Sequence, residues 1–477
     1  MTDSTDAHNK VFLTHGYFIS EDPKEQLIMK PYPPLGILYV SAYLEQAGIN
    51  NDVFDSTFSN YETLCKSLLT KQPRIIGIYT NLMTKINVLR IIRFVKSRPE
   101  LKNTKVILGG PEVRYHIENF LRHGADYLVV GEGEESMYEL CTLLLAQNES
   151  PDISALEKIQ GIAFLDLQQQ TIRTSERNLK KDLDMLPFPN RKKIDLELYI
   201  KAWKEKHGSS TVSVSTMRGC PYTCKWCSRA VYGQSYRRRS PASVADELQF
   251  LKSTYEFDTV WFVDDVFSIS HKWLDEFRKV ISERKINISY ECITRADRLN
   301  EEVIVNLRES GCFRVWIGAE SGSQKILDAM DRRVEADQVQ AMIRLAKKHG
   351  LETGTFIMVG YPGETEADLE QTIRHLKLSD PDHYTLTLAY PITGTELYNE
   401  TKSVFLKQRD WTLSTDRELD FKRSYPRRYY DFAIRRIHNE VSYFKIRTSK
   451  NAGLMVGSTF KLKAMAAKVA MVISRFI

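Results

Sequence analysis

The sequence predicts an α/β protein built from two units: a doubly wound, Rossmann-like domain at residues 1–150 and a partial β/α barrel at residues 206–400. Short apolar strands alternate with helical stretches in both regions, as in parallel sheets that helices cover on both faces. A proline-punctuated linker with one small β element separates them at residues 151–205. The alternation is lost after residue 400, so we expect a short, mainly helical extension at residues 401–477.

Length and composition exclude several classes of protein. A chain of 477 residues with 42% hydrophobic and 27% charged residues is too long for one core and too apolar for disorder. The net charge of +6 is small for this length, so we expect no nucleic-acid partner. The N-terminus lacks the features of a secretory signal, and no apolar run predicts a membrane span. Seven cysteines, three of them close together, favour metal ligation in the cytoplasm over disulfides.

In the N-terminal region the predicted strands end in small or polar residues. The strands are residues 11–14, 75–80, 106–110 and 127–131, and residues 37–48 form a helix between the first two. Ligands of doubly wound sheets bind beyond the carboxyl ends of the strands, and glycine lets a ligand approach the backbone closely. Taken singly, these glycines are equally compatible with simple turns. The candidate binding residues are Thr80, Asn81, Gly109, Gly110, Gly131 and Glu132.

The second unit has a countable β/α alternation. Helical patterns fill every gap between its predicted strands, and one helix begins with Ser240 as N-cap and Pro241 at the first helical position. Such an alternation predicts a partial barrel whose active face is formed by the carboxyl ends of the strands. The predicted strands are residues 211–217, 259–263, 288–292, 313–318, 353–359 and 383–388.

The C-terminal extension contains a predicted amphipathic helix at residues 458–477. Its basic residues lie mostly outside one apolar stripe. Packing on the chain's own barrel, contact with a membrane surface and contact with another subunit are all compatible with this pattern. The stripe consists of Leu462, Met465, Ala466, Val469, Val472, Ile473 and Phe476.

The strongest chemical signal is a group of three cysteines. Cys220, Cys224 and Cys227 follow a predicted strand with the spacing Cys-x3-Cys-x2-Cys. Three thiolates on a short loop can bind three irons of a cubane cluster and leave the fourth iron without a protein ligand. A structural zinc site normally needs a fourth Cys or His, and His207, one candidate, lies on the far side of the strand. The spacing therefore favours an iron–sulfur cluster over zinc or a chance grouping.

This cysteine loop at the end of a first barrel strand resembles the radical S-adenosylmethionine superfamily, and the similarity extends over about residues 211–390. The resemblance implies a [4Fe-4S] cluster whose open iron is chelated by S-adenosylmethionine. It implies that one electron cleaves the sulfonium and gives a 5'-deoxyadenosyl radical. It also implies a small-molecule substrate and an electron donor such as flavodoxin or ferredoxin.

Later strand ends carry motifs that are similar to those of the same superfamily. Residues 263–265 (V-D-D) stand where the family more often has Gly-Gly-Glu, and residues 318–322 (G-A-E-S-G) are close to its G-x-E-S-G. Residues 330–332 (M-D-R) resemble its Met-x-Arg, and residues 356–364 resemble the stretch that borders the adenine. The resemblance implies that S-adenosylmethionine is bound by Asp264, Asp265, Glu320, Ser321, Arg332 and Gly360.

The N-terminal motifs at residues 33–48, 106–112 and 125–134, together with this barrel, are similar to the cobalamin-binding radical enzymes. That group includes the anaerobic magnesium-protoporphyrin ester cyclase and many carbon and phosphorus methyltransferases. The resemblance implies a cobalamin-binding domain at residues 1–150. The D-x-H-x-x-G motif that supplies a histidine to cobalt is absent, because Asp6-Ala7-His8 lacks the glycine. Members of the group also lack it, and we interpret His15, just past the first strand, as a turn residue.

Several reactions remain open at this point. The first is cobalamin-dependent methylation of an unactivated carbon of a small molecule, and the second is oxidative cyclisation or rearrangement without methyl transfer. A third is RNA modification of the methylthiotransferase type, although the extra cluster cysteines of those enzymes are not visible here and Cys65 and Cys141 are isolated. A non-catalytic cluster protein is disfavoured by the motifs that resemble cofactor-binding residues.

Overall fold

The computed structural model describes residues 10–146, 151–407, 410–448 and 454–475. Two parallel-stranded sheets, each packed against helices, make up most of the described chain, and a pair of long helices follows them. The mixed α/β fold class predicted from the sequence is therefore confirmed.

The first sheet has the strand order β2-β1-β3-β4-β5-β6-β7. The first five strands are parallel, whereas β6 and β7 are antiparallel and extend the sheet into the stretch that we predicted as a linker. The sequence analysis missed β2, in which only two of four residues are apolar. The strands are β1 (Val11–His15), β2 (Asn51–Phe54), β3 (Ile75–Tyr79), β4 (Lys105–Gly109), β5 (Tyr127–Val129), β6 (Ile162–Leu165) and β7 (Thr171–Arg173).

Helices cover this sheet on both faces, and a separate apolar core fills each interface. Ile76, Ile78 and Val106 point to one core, and Leu13, Ile107 and Val129 point to the other. This is the doubly wound arrangement that the alternation predicted. The helices up to the barrel are α1 (Pro23–Ile28), α2 (Leu35–Gln46), α3 (Tyr61–Lys71), α4 (Lys85–Ser97), α5 (Ile117–Arg122), α6 (Glu134–Ala146), α7 (Ile153–Leu156) and α8 (Leu196–His207).

The second sheet is a partial barrel of six parallel strands in the order β15-β14-β13-β12-β11-β8. Its first strand is shorter than we predicted, because residues 217–218 leave the barrel and pair with residues 237–238 in a small antiparallel ribbon, β9 (Met217–Arg218) and β10 (Arg237–Arg238). The third begins two residues later than we predicted. The barrel strands are β8 (Thr211–Val214), β11 (Thr259–Phe262), β12 (Tyr290–Thr294), β13 (Cys312–Glu320), β14 (Glu352–Val359) and β15 (His383–Leu388).

Helices between the barrel strands bury the outward-facing side of the sheet in one large core. The predicted cap of the first of them is confirmed, since the Ser240 hydroxyl accepts a hydrogen bond from the backbone N–H of Ser243 at 3.1 Å. These helices are α9 (Pro241–Thr254), α10 (His271–Glu283), α11 (Glu301–Glu309), α12 (Gln324–Ala329), α13 (Ala336–Lys348) and α14 (Glu366–Ser379).

The C-terminal extension is mainly helical, as predicted. It contains α15 (Glu396–Thr401), α16 (Arg427–Thr448) and α17 (Leu454–Ile473). The helix α16 packs on α14 of the barrel, and α17 packs on α16. Phe476, which we placed on the apolar stripe, lies outside the described residues. Among the described helices, none combines the length and the apolarity needed to cross a bilayer.

Candidate active site

The three cysteines lie on the loop that follows β8, at the carboxyl end of the first barrel strand. All three thiols are free; Cys224 is buried and Cys227 is exposed. The loop turns at Gly219, whose φ of +84° suits glycine and where a Cβ would lie 2.3 Å from the Ser235 hydroxyl. The sequence therefore places the thiols on a tightly folded loop at the active face.

Among the residues that the structure describes, no three His, Cys, Asp or Glu side chains surround the position of a single metal ion. A cubane cluster does not require such an arrangement, because each cysteine binds a different iron atom. Burial raises the pKa of the Cys220 thiol, and binding to iron requires its thiolate. The three cysteine thiols of the loop therefore fit a cluster that is held by three protein ligands.

Two guanidinium groups lie against the thiol of Cys224. Arg295 Nη1 and Arg332 Nη1 are each 3.7 Å from Cys224 Sγ. Arg295 is almost fully buried, stacks on the Tyr222 ring with its guanidinium carbon 3.8 Å from the centroid, and donates a hydrogen bond to the Arg332 carbonyl at 2.7 Å. The sequence analysis missed Arg295, although it directly follows β12, at the strand end where we sought site residues elsewhere.

Three of the predicted S-adenosylmethionine residues have side chains in positions that fit a ligand. Asp265 is exposed at the end of β11, and Arg332 has a buried Nε without a hydrogen-bond partner among the described residues. Glu320 has a φ of +65° at an irregularity in the β13–β14 register, a strained geometry for a non-glycine residue. Burial raises the pKa of the Glu320 carboxyl, while Arg332 and Arg295 oppose this rise.

Asp264 contacts the start of the cysteine loop. Its side chain is fully buried, and it accepts hydrogen bonds from the backbone N–H of Thr216 at 2.8 Å and of Met217 at 3.2 Å, as well as from the Thr216 hydroxyl. Arg238 lies 3.6 Å away. These contacts give Asp264 a role in anchoring the loop, and its predicted contact with S-adenosylmethionine stays a prediction.

Ser321 and Gly360 also have hydrogen-bond partners inside the protein, and their predicted contact with S-adenosylmethionine stays a prediction. The buried Ser321 hydroxyl accepts a hydrogen bond from the Ser323 N–H at 3.1 Å. The Gly360 N–H donates to Glu364 at 2.6 Å, and its carbonyl accepts from Arg423 at 3.1 Å. Both residues shape the strand ends.

A cavity of about 240 Å³ opens at the carboxyl ends of β1, β3, β4 and β5 in the N-terminal domain. Gly109, Gly110, Gly131 and Glu132, four of the six predicted cobalamin residues, line it. Other lining residues were not predicted from the sequence, either because they lie away from the strand ends or because their neighbours were chosen instead. These are chiefly Gly36, Tyr79, Met137, Arg218 and Tyr232.

The glycines at the strand ends have two different roles. At Gly110, with a φ of +102°, a Cβ would lie 2.4 Å from the Thr80 carbonyl oxygen, so the turn itself requires glycine. At Gly109 and Gly131 a Cβ would meet no atom closer than 3.7 Å, so these positions leave room for a ligand beside the backbone. Thr80 does not line the cavity, but its buried hydroxyl has no hydrogen-bond partner among the described residues. The Asn81 side chain accepts hydrogen bonds from the N–H groups of Met83 and Thr84 and so belongs to the turn before α4.

His15 is placed differently from our expectation of a turn just past the first strand. It is the last residue of β1 and is buried. Its Nε2 lies 3.0 Å from an Asp55 carboxylate oxygen, and its Nδ1 lies 3.0 Å from the Ser56 hydroxyl. Both ring nitrogens therefore have protein partners in the loop that follows β2.

Ion pairs join the carboxyl-end face of the N-terminal sheet to the carboxyl-end face of the barrel; we call these the two strand-end faces. The buried guanidinium of Arg218, two residues before Cys220, donates to Glu132 at 3.0 Å and to Glu134 at 2.5 Å, and Arg237 also donates to Glu132 at 2.8 Å. Burial alone would raise the pKa of the Glu134 carboxyl, but Arg218 holds it below its ordinary value. The cavity of the N-terminal domain and the cysteine loop of the barrel therefore share a wall.

Two family models match this chain. The model of the radical SAM superfamily matches residues 214–376, and that of the B12 binding domain matches residues 28–141. The B12-binding match therefore lies within the predicted N-terminal domain, and the radical SAM match lies within the predicted barrel.

Similar curated proteins agree with both models. An uncharacterized methyltransferase of Pyrococcus horikoshii is 29% identical over 374 residues, which cover 77% of this chain and 78% of that protein. The anaerobic magnesium-protoporphyrin IX monomethyl ester cyclase of Rubrivivax gelatinosus is 25% identical, over 77% of this chain and 66% of that protein.

Solved structures share the fold over most of the chain. The cobalamin-dependent S-adenosylmethionine radical enzyme OxsB with aqua-cobalamin bound aligns over 97% of this chain and 72% of its own, with a TM-score of 0.72 and 16% identity. The radical S-adenosylmethionine methyltransferase TsrM from Kitasatospora setae aligns over 82% of this chain and 74% of its own, with a TM-score of 0.66 and 19% identity. The chain therefore combines an N-terminal B12-binding domain with a radical SAM domain.

Proposed function

We propose that this chain is a cobalamin-dependent radical SAM methyltransferase that acts on an unactivated carbon of a small molecule. One observation carries the proposal: the cysteine loop of the barrel and the cavity of the B12-binding domain are joined by Arg218. A methyl carrier in that cavity and a radical generator on that loop would face one enclosed space. The members of the family generally take a small-molecule substrate and an electron donor.

In the barrel, we assign the cluster to Cys220, Cys224 and Cys227. Bound there, it supplies the electron that cleaves S-adenosylmethionine. Arg332, with its unpaired Nε, is the cation for the carboxylate of that cofactor, and Asp265 and Glu320 are the acceptors available for its amino and hydroxyl groups. Asp264, Ser321 and Gly360 hold the surrounding strand ends in place.

In the N-terminal domain, we assign cobalamin to the glycine-lined cavity. Gly109 and Gly131 leave room along the backbone, Gly110 makes the turn after β4, and Gly36 leaves room on α2. Both ring nitrogens of His15 are already paired with Asp55 and Ser56, so this histidine is not the cobalt ligand. The cofactor would be held by shape and by backbone groups.

Relatives favour methyl transfer among the possible reactions. Besides the Pyrococcus protein, the hopanoid C-3 methylase of Methylococcus capsulatus is 24% identical over 80% of this chain, and the cytidylyl-2-hydroxyethylphosphonate methyltransferase of Streptomyces wedmorensis is 25% identical over 77%. The cyclase relative keeps oxidative cyclisation as the second candidate. An acidic redox protein such as flavodoxin or ferredoxin is the proposed electron donor.

The test supplies S-adenosylmethionine with a deuterium-labelled methyl group to the reconstituted enzyme, a chemical reductant and a cell extract. We expect 5'-deoxyadenosine and at least one metabolite that gains the labelled methyl group. Protein without cobalamin is the matched control, and it should yield no labelled product. Formation of 5'-deoxyadenosine with products that lose hydrogen but never gain the label would instead assign the cyclase-type reaction.

A further inference from the structure

The helix α17 carries an apolar stripe on the side that faces away from the protein. Ala464, Ala467 and Met471 are buried against the rest of the chain. The opposite side exposes large apolar residues at spacings of three and four positions, so they form one continuous strip. This strip, which we call the outer stripe, consists of Leu462, Met465, Val469, Val472 and Ile473, with exposed fractions from 45% to 67%.

Lysines border the outer stripe on both sides. On a helix of 3.6 residues per turn, Lys461 and Lys468 fall along one edge of the stripe, and Lys463 falls along the other. All three are exposed. Residues 454–473 contain no Asp or Glu, and of the three lysines Lys468 lies 3.9 Å from Glu370 of α14. Long basic side chains at the edges of an apolar face can keep their charge in water while the face enters an apolar phase.

A groove of about 410 Å³ lies between α16 and α17 next to the outer stripe. It is lined by Phe432, Arg435 and Asn439 of α16 and by Lys463, Ala466, Ala467 and Ala470 of α17. A mostly apolar lining with two cations matches the chemistry of a phospholipid, whose acyl chain is apolar and whose phosphate is anionic.

We propose that α16 and α17 together form a docking surface for an anionic lipid bilayer. The outer stripe enters the boundary between headgroups and acyl chains, and the bordering lysines and Arg435 contact the lipid phosphates. A second copy of this chain is the other possible occupant, but pairing two identical stripes would bring the two sets of lysines close together without acidic partners on the helix. Charge therefore favours the lipid surface.

The experiment is vesicle flotation with the full chain. Vesicles of phosphatidylcholine alone are compared with vesicles that also contain phosphatidylglycerol, at low and at high salt. We expect the protein to float with the anionic vesicles and to be released by salt. The double variant Leu462→Ser/Val469→Ser should lower the bound fraction at least about tenfold, and Lys461→Gln/Lys463→Gln should lower it by roughly as much.

The matched control is Leu167→Ser/Leu413→Ser, which removes two exposed leucines far from α17 in sequence. It should float like the unaltered protein. Because all the altered side chains are exposed, each variant should keep the unaltered protein's unfolding curve. The proposal is overturned if the unaltered chain stays at the bottom of the gradient with anionic vesicles, or if the α17 double variant floats equally well. It is also overturned if the unaltered protein is a dimer that binds no vesicles and the α17 double variant is a monomer.

Discussion

The two strand-end faces of this molecule are built from different kinds of residues. The face of the N-terminal sheet is a cavity lined mostly by glycines and apolar side chains, with Glu132, Glu134 and Arg218 on one wall. The face of the barrel presents the thiol of Cys224 with two guanidinium groups 3.7 Å away. On the proposed function, the first face recognises its ligand mainly by shape and the second by charge, so the first should respond to added volume and the second to removed charge or sulfur.

The largest expected effect is the loss of the cluster when Cys224 is replaced. Cys224→Ala, prepared without oxygen, should contain no [4Fe-4S] absorption and produce no 5'-deoxyadenosine, because two thiolates do not hold a cubane with one open iron. Cys292→Ala is the control, since Cys292 is buried in β12 and belongs to the core. Normal 5'-deoxyadenosine production by Cys224→Ala would contradict the assignment.

Breaking the ion pairs of Arg218 with Glu132 and Glu134, which join the two strand-end faces, should mainly lower the free energy of unfolding. Arg218→Gln leaves the buried carboxylates of Glu132 and Glu134 without this cation, at a cost of about 3–5 kcal/mol in the free energy of unfolding. Arg122→Gln removes a more exposed pair with Glu118 and should cost at most ~1 kcal/mol. Urea unfolding curves measure both. Equal, small effects would show that Arg218 does not hold the domains together.

A larger side chain in the cavity of the N-terminal domain should weaken cobalamin binding and leave the cluster of the barrel unchanged. Gly36→Leu places a side chain in the cavity next to Tyr79; its Cβ would be in ordinary contact with the ring at 3.5 Å, and the rest of the side chain would fill space left for the ligand. Overpacking of about 1–3 kcal/mol should weaken hydroxocobalamin binding roughly tenfold or more. Gln46→Leu, on the exposed side of the same helix, serves as control. Spectral titration measures the affinity; unchanged binding in Gly36→Leu would place cobalamin elsewhere.

The smallest effect concerns the cluster's reduction potential. Arg295→Gln removes a cation that contacts Cys224 Sγ, so the reduced and more negative cluster loses stabilisation. The reduction potential should fall by on the order of 60 mV. For a one-electron couple this shift corresponds to about the free energy of one charge-assisted hydrogen bond. Arg298→Gln removes the same charge from a residue that reaches only the Tyr222 hydroxyl and Asp297. Its shift should be clearly smaller. Equal shifts would mean that the contact with sulfur has no role.

The sequence predicted the elements well where apolar runs were long, and it predicted which loop carries the thiols. It did not predict on which side of a strand end a residue lies. Asp264 and Asp265 are adjacent, yet the first is buried in the anchor of the cysteine loop and the second is exposed. Successive side chains of a strand point in opposite directions, so only the final register of β11 decides between them.

Long-range pairing explains the other residues that the sequence analysis missed. Arg218 is recognisable as part of the site only when Glu132 and Glu134 of the other domain are placed beside it. Gly36 lies in the stretch 33–48 that resembles the cobalamin-binding enzymes, but only the packing of α2 beside the strand ends shows that Gly36 itself faces the cavity. Arg295 was the exception, because a basic residue directly after a barrel strand could have been found by the rule applied to the other strands.

The most direct test of the account is electron paramagnetic resonance of the reduced protein with and without S-adenosylmethionine. We predict that the signal of the reduced cluster changes when the cofactor is added, and that a nitrogen-15 label in its amino group produces a coupling to the cluster. A signal that is identical under both conditions would mean that no iron is open to the cofactor, and the proposed chemistry would be contradicted.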